Sequence, residues 1–330
     1  MILFHRFRAL LALGIILLTN SLGVAQTLVR FPRNVDRTYG LGVRAAGAVV
    51  AFGEDDKFCS ALWTYAGPQI TLAYLTPLPG DVDARILAIS RDARFATGLP
   101  RGENPDGVGL CWDLAVDTPP IAIFPPAGEP ALGPTAVAST PNGPLVGGYF
   151  ARESFVWSPL DGIRYWGPRI PTGRYRALFS MSAKGTMLGG VEGVVSSAGI
   201  FVSATGVIGS ASDVKTLPRF SVVKAVSPNA KNLCVVVMTK AGEIRTAVWS
   251  RRFGLVVAPS GVNLRSIADS GLAAGSDLNG AVMFDPERRR HLESFDRWWV
   301  GEYPSRPLPA HVDAIRDLYE ANDQDRKSVV

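Results

Sequence analysis

Acidic side chains in short loops are the first candidates for chemistry in this chain of 330 residues. Glu54, Asp55 and Asp56 directly follow an apolar run that ends in Gly53. Further carboxylates occupy later loops: Asp81, Asp83, Glu103, Asp106 and Asp117. Two carboxylates that flank a sugar linkage can act as general acid and base in glycoside cleavage. The same residues can also form a solvated turn, so we predict Glu54, Asp55 and Asp56 as candidate ligand-binding residues and name no catalytic residue.

Histidine, cysteine and metal-ligand patterns give little support to other reactions. His291 and His311 are the only histidines beyond residue 5, and neither lies in a nucleophile motif. The sequence has no Gly-x-Ser-x-Gly elbow and no ligand spacing typical of zinc or EF-hand calcium sites. We therefore predict no metal ion and no cofactor. The formal charge of +5 is too small to indicate a nucleic acid partner.

The C-terminal segment contains a second candidate site. Trp298 and Trp299 follow the basic run 288–290. Exposed aromatic residues beside arginines are typical of partner-binding patches. Trp298 and Trp299 are therefore candidate ligand-binding residues, and burial against the body of the protein is the alternative.

A unit that recurs about every 45 residues must position these side chains. Each unit contains a short apolar strand, a turn of Ser, Asp, Asn and Gly, an apolar strand that ends in Gly, a polar loop, and a strand with an aromatic anchor. The turn is clearest at 90–98 and 182–189, where polar side chains can bond the backbone and Gly can supply a positive φ. The predicted structural anchors are Trp63, Trp112, Trp157, Phe201, Trp249 and Phe284.

Repetition of such units predicts an all-β fold, a β-propeller of about six blades, with a count of seven left open. One blade cannot bury both faces of its sheet, whereas a ring of blades can. Because the anchors occupy equivalent positions, we expect them to pack between blades rather than to stack on sugars. After the repeats, 309–321 is predicted to form a short helix, with Val312, Ile315 and Leu318 on one face.

The repeated motifs resemble those of the HAF repeat family of extracellular bacterial proteins. The matching pieces include Ile89-Ser90-Arg91-Asp92, Leu62-Trp63-Thr64 and Val156-Trp157-Ser158, and the resemblance covers roughly residues 40–290. It implies an exported, β-propeller-like bacterial protein. The family has no assigned reaction, so the resemblance assigns no catalytic residue to this chain.

The first 25 residues have the pattern of a Sec signal peptide. Arg6 and Arg8 precede an apolar run over 9–18, and small residues at 23–25 precede Gln26. We expect cleavage after Ala25 and a secreted or periplasmic protein without a transmembrane segment, an uncleaved anchor being the alternative. The predicted organisation is a signal peptide (1–25), a β-propeller domain (26–290) and a tail (291–330).

The three cysteines are assigned mainly to packing. Cys111 and Cys234 lie in apolar strands, where a free thiol behaves as a small hydrophobic group. A bridge between Cys59 and Cys111 stays open, because the sequence does not place their Cα atoms.

These observations favour an exported, non-catalytic scaffold that binds an unknown protein or glycan partner through its rim loops. The repeated residues are structural, while the loops between them differ in length and charge. The alternative is a carbohydrate-active propeller hydrolase or lyase that uses loop carboxylates. A self-associating surface-layer component is a third possibility.

Overall fold

The computed structural model describes residues 35–43, 49–55, 60–66, 69–102, 107–195, 201–217, 220–278, 280–287 and 291–294. These residues form 24 β-strands in six sheets, each of four consecutive antiparallel strands. Each sheet is one blade, and the blades are numbered from the N-terminus.

The strand bounds follow a regular order. Blades 1 to 3 contain β1 (Val35–Val43), β2 (Val49–Asp55), β3 (Ser60–Ala66), β4 (Gln69–Tyr74), β5 (Asp81–Ile89), β6 (Phe95–Gly102), β7 (Gly109–Asp113), β8 (Ile121–Ile123), β9 (Leu132–Thr140), β10 (Gly143–Phe150), β11 (Glu153–Ser158) and β12 (Gly162–Tyr165). Blades 4 to 6 contain β13 (Arg174–Met181), β14 (Leu188–Val195), β15 (Phe201–Gly209), β16 (Val214–Leu217), β17 (Val222–Val226), β18 (Asn232–Met238), β19 (Ile244–Ser250), β20 (Gly254–Val257), β21 (Asn263–Ile267), β22 (Ala273–Asp277), β23 (Gly280–Asp285) and β24 (His291–Ser294).

The first strand of each blade is the innermost one. The first strands contact one another in chain order, from β1 through β5, β9, β13 and β17 to β21. Six meander sheets whose first strands surround a common axis make a β-propeller. The predicted fold class is therefore confirmed, with six blades among the described residues. The predicted helix over 309–321 lies outside the described residues.

Apolar clusters fill the spaces between successive blades. One cluster joins Leu62 of blade 1 to Trp112 of blade 2, and another joins Phe220 of blade 5 to Met187 of blade 4. Among the described residues, this arrangement supplies blades 2 to 5 with an apolar partner on both faces, which a single blade lacks. No helix within the described residues has the length and apolar character needed to cross a membrane.

The turn between the first and second strands follows the predicted Ser-containing motif. The hydroxyl oxygens of Ser90, Ser182 and Ser227 accept hydrogen bonds from backbone N–H groups four to five residues later, at 2.9–3.2 Å. The fourth residue of the turn has a positive φ of 53–66° at Ala93, Gly185 and Ala230. We call the end of the ring that bears these turns (90–94, 182–187, 227–231 and 268–272) the turn face.

The third strand of most blades carries the aromatic anchor. Trp112, Trp157 and Phe284 are 2%, 7% and 0% exposed, and each packs in a cluster shared with the preceding blade. Trp249 occupies the same position but is only partly buried. Trp63 lies in β3 at the corresponding register, opposite Ala51, and its side chain is not described.

Phe201 does not occupy the anchor position of blade 4, which corrects the prediction. Strand β15 is nine residues long, and Phe201 pairs with Val195 at its beginning. The residue opposite Leu188, where the other blades place their anchor, is Gly209. The spacing between anchors led to Phe201 because that residue begins β15, whereas the anchor position, opposite Leu188, is at the end of the same strand.

Trp166, from the segment between blades 3 and 4, fills the interface that lacks an anchor. It is completely buried and packs with Leu178 and Leu188. Its indole N–H donates to the carbonyl of Ser210 at 2.9 Å. Blade 2 shows the reverse arrangement, since its anchor Trp112 donates to the carbonyl of Thr76 at 2.9 Å in the preceding connection.

Cys111 and Cys234 are buried free thiols. Burial raises the pKa of each to about 12, so both stay protonated at neutral pH. Cys59 lies outside the described residues.

The sixth sheet ends beyond the domain boundary predicted at residue 290. Its fourth strand, His291–Ser294, pairs with β23. The predicted tail therefore contributes four residues to the propeller. The predicted signal peptide (1–25) lies outside the described residues.

Candidate functional site

Every innermost strand contains a β-bulge at an equivalent point. The pairing of the first and second strands skips one residue in each blade, so that this residue has no partner across the ladder. The residues skipped at this point are Tyr39, Leu87, Thr135, Phe179, Lys224 and Arg265. Blades 1 and 2 also skip Asp36 and Val82 near the start of their first strands. A bulge redirects a side chain and is common next to binding sites.

Four of these residues line a cavity of about 260 Å³ at the turn-face end of the central channel. They are Thr135, Phe179, Lys224 and Arg265, and the cavity wall is completed by residues from the ends of the same strands and from the turns. Blades 2 to 6 all contribute. We call this cavity the channel mouth.

Three cationic side chains line the channel mouth. Lys224 and Arg265 come from adjacent blades, and Arg91 adds a third cation from blade 2. The ammonium group of Lys224 donates to the side-chain oxygen of Asn263 in blade 6. No Asp or Glu occurs among the described residues that line this cavity. Since the charges are of one sign, the site favours an anionic group.

Hydroxyl groups add polar contacts to the same wall. Ser266 is 8% exposed, and its Oγ has no hydrogen-bond partner among the described residues. In contrast, Ser180 Oγ accepts a bond from the backbone N–H of Val226 at 3.0 Å, which joins blades 4 and 5. A buried hydroxyl normally forms a hydrogen bond. The Ser266 hydroxyl, which forms none among the described residues, is therefore available to a ligand in the channel mouth.

The candidate ligand-binding residues from the sequence lie elsewhere or outside the described part. Glu54 and Asp55 are the last residues of β2, at the end of the strand opposite its turn to β1, and their side chains are not described. Asp56, Trp298 and Trp299 lie outside the described residues.

The other loop carboxylates do not meet in the channel mouth. Asp83 lies on the first half of β5, and its Oδ2 is 3.8 Å from an Arg101 nitrogen. Asp81 begins the same strand. Asp117 accepts a long bond of 3.4 Å from the Thr76 hydroxyl. Glu103 and Asp106 lie outside the described residues.

Two carboxylates do approach each other near blade 3, but an arginine lies between them. Arg169 Nε is 3.3 Å from Glu153 Oε1, and Arg169 Nη2 is 3.7 Å from Glu129 Oε1. The Tyr165 hydroxyl donates to Glu129 at 2.9 Å, and the guanidinium group of Arg169 lies 3.9 Å from the centre of the Tyr165 ring. Burial and the bond to Glu129 raise the pKa of Tyr165. This geometry is that of an ion-pair network, not of an acid and base that share a substrate.

The sequence contains a signal for the bulged residues that the repeat analysis missed. Before the turn, blades 2 to 6 share a pattern of apolar residue, variable residue, small residue and apolar residue, as in Val223-Lys224-Ala225-Val226 and Leu264-Arg265-Ser266-Ile267. The variable position is the bulge. The sequence alone does not identify this position as a bulge, because a bulge is defined by the register of two paired strands.

Comparisons with known proteins support the fold. No family model matches the chain, and no curated protein matches it. The extracellular domain of a one-component system from B. thetaiotaomicron aligns with a TM-score of 0.53 and 10% identity, over 91% of this chain and 38% of that one. A prolyl endopeptidase aligns with a TM-score of 0.51 and 11% identity, over 84% and 42%. An ancestral GH74 enzyme aligns with a TM-score of 0.50 and 9% identity, over 80% and 41%.

These identities establish similarity of fold alone. The chain spans about two fifths of the length of each of these structures. Their similarity agrees with the β-propeller fold and assigns no ligand to the channel mouth.

Proposed function

We propose that this chain is an exported, non-catalytic scaffold of the HAF repeat type that binds an anionic group of a protein or glycan partner at the channel mouth. The observation that carries the proposal is the pair of bulged cations, Lys224 and Arg265, on adjacent inner strands. Bulges place both residues on the wall of this cavity.

The apolar part of the wall defines the rest of the ligand. Phe179 and Met181 of blade 4 and Val137 of blade 3 lie on the side away from blade 6. A cavity with cations from blades 5 and 6 and apolar groups from blades 3 and 4 suits an anion attached to an apolar body. An acidic peptide with an apolar neighbouring residue meets both parts of this description, and a uronic-acid oligosaccharide meets the anionic part.

The alternative of a carbohydrate-active hydrolase or lyase has less support. General acid–base cleavage requires two carboxylates on either side of the scissile bond. The described lining of the channel mouth has none, and the close pair Glu129 and Glu153 is bridged by Arg169. Export is proposed from the N-terminal sequence pattern, and the extracellular domain with a similar fold is compatible with it.

The experiment is a binding assay with matched acidic and neutral ligands. The purified protein would be titrated calorimetrically with oligogalacturonate and its neutral methyl ester, and with acidic peptides and their amidated forms. We expect binding of acidic members only. Substituting Lys224→Met or Arg265→Met should weaken it about 10- to 100-fold, since hydrogen bonds to charged groups contribute about 1.5–3 kcal/mol.

Lys215→Met is the matched control. Lys215 lies on the outer strand β16 and its side chain is 75% exposed, so its loss should leave the affinity unchanged. Equal binding of acidic and neutral ligands would refute the proposal. Turnover of a ligand by the wild type that persists in both Lys224→Met and Arg265→Met would also refute it.

A further inference from the structure

Trp249 differs from the other described anchors because one part of it is not covered by protein. Trp112, Trp157 and Phe284 are at most 7% exposed, whereas Trp249 is only partly buried. Its ring packs edge-to-face on Phe220, with the ring centres 6.3 Å apart. The other side of the residue faces a cavity.

This cavity, which we call the Trp249 pocket, has a volume of about 680 Å³ and lies on the turn face between blades 4 and 5. Its apolar wall contains Met187, Ile208, Trp249 and Phe253. Methionine and aromatic residues are typical of surfaces that receive an apolar side chain of a partner.

The border of the Trp249 pocket is basic. Lys231, Arg251 and Arg252 lie at its edge, and all three are exposed. Arg252 is paired with Glu287 at 2.8 Å. Lys231 and Arg251 form no ion pair with any residue in the described part of the chain. Two uncompensated cations beside an apolar cavity favour an apolar group flanked by negative charges.

Two polar side chains of the pocket already form hydrogen bonds within the protein. The side-chain amide of Asn232 donates to the carbonyls of Ala268 and Asp269, at 3.2 and 2.8 Å. The Asp269 carboxylate accepts the backbone N–H of Asn229 at 2.7 Å. A pyranose presents several hydroxyl groups that require such partners, whereas an apolar side chain requires none.

We infer that the Trp249 pocket binds an acidic peptide segment of a partner protein, with one leucine or aromatic side chain inserted against Trp249. This site is separate from the channel mouth. The turn 227–231 lies between them, because Pro228 lines the channel mouth and Lys231 lines the Trp249 pocket. The inference therefore does not depend on which ligand the channel mouth takes.

The test uses two fluorescein-labelled peptides of seven residues, one with a central leucine among Glu and Asp residues and one with serine in its place. Fluorescence anisotropy should show the leucine peptide binding at least about tenfold more tightly, because a buried leucine side chain contributes about 1.5–3 kcal/mol. Arg251→Glu and Lys231→Glu should each weaken the leucine peptide about tenfold or more.

Two controls separate this site from other effects. Lys240→Glu introduces the same charge change in the exposed loop at the opposite end of blade 5 and should not alter binding. Lys224→Met should preserve the ratio of leucine-peptide to serine-peptide affinity, because that residue belongs to the channel mouth. A loss of this ratio in Lys224→Met would assign the leucine to the channel mouth and overturn the inference.

A spectroscopic readout tests the contact with Trp249 directly. An unlabelled leucine peptide should change the intrinsic tryptophan fluorescence of the wild type and of Trp157→Phe, but not of Trp249→Phe. Equal affinity for the leucine and serine peptides, or a fluorescence change that persists in Trp249→Phe, would overturn the inference. Binding of a neutral oligosaccharide that Arg251→Glu leaves intact would assign the pocket to a glycan instead.

Discussion

Buried charge in blade 4 is held by a compact ion-pair network. Arg176 is 4% exposed and donates to Glu192 at 2.7 and 3.0 Å, and Arg174 lies 3.1 Å from the same carboxylate. Arg176 also donates to the carbonyls of Trp166 and Pro168, at 2.7 and 2.9 Å. The network thereby fixes the connection that carries Trp166, the residue that replaces the missing anchor.

Removing the carboxylate should be costly because it leaves a buried guanidinium group unpaired. We expect Glu192→Ala to lower the free energy of unfolding by about 3–5 kcal/mol. Asp161→Ala is the control, since its pair with Arg164 is about half exposed and should contribute less than about 1 kcal/mol. Urea denaturation of both variants gives the comparison, and a loss for Glu192→Ala as small as about 1 kcal/mol would show that the network contributes little to stability.

At the scale of single elements, the Ser-containing turns also join neighbouring blades. The Asp92 carboxylate accepts bonds from Ser90 at 2.7 Å within its own turn and from Ser139 of blade 3 at 2.6 Å. The backbone N–H of Arg94 donates to it at 3.2 Å. Burial acts to raise the pKa of Asp92, but these hydrogen bonds outweigh it and lower the pKa below 3.8.

This lowered pKa predicts a pH-dependent contribution to stability. The unfolded chain binds the proton more readily, so the contribution of Asp92 is fully present above about pH 4 and is lost as the pH falls through the folded-state pKa. Urea denaturation between pH 2.5 and 7 should show wild type more stable than Asp92→Asn at neutral pH, with a difference that shrinks below about pH 4. A difference that grows as the pH falls would contradict this assignment.

The buried anchors should be essential to the packing of adjacent blades. Trp157 is 7% exposed in a cluster that includes Phe95 and Cys111 of blade 2. Trp157→Ala should therefore lower the free energy of unfolding by about 3–5 kcal/mol, and Trp157→Phe by less. A loss below about 1 kcal/mol for the alanine variant, measured by urea denaturation, would show that the interface tolerates the cavity.

The sequence predicted these elements well where local chemistry determines them. The Ser-containing turns and most anchor strands depend on residues close together in the chain, and they are visible as a repeat. Phe201 was misplaced because its role depends on the register of β15 against β14. The bulges at Lys224 and Arg265 were missed for the same reason, since the residue type at one position does not reveal how two strands pair.

For the whole molecule, the repeated architecture places two different cavities on one face. The channel mouth collects side chains from five inner strands, and the Trp249 pocket lies between blades 4 and 5 on the same turn face. A propeller of six packed blades provides a rigid support for both. The repeat predicted the ring, but the character of its turn face depends on non-repeated residues such as Lys224, Arg265 and Arg251.

The anion site at the channel mouth can be tested most directly by diffraction from crystals soaked in bromide. The account predicts an anomalous peak within hydrogen-bonding distance of Lys224 and Arg265, and loss of that peak in the Lys224→Met, Arg265→Met double variant. Bromide peaks elsewhere on the protein with none at the channel mouth, or two carboxylates facing each other inside the channel, would contradict it.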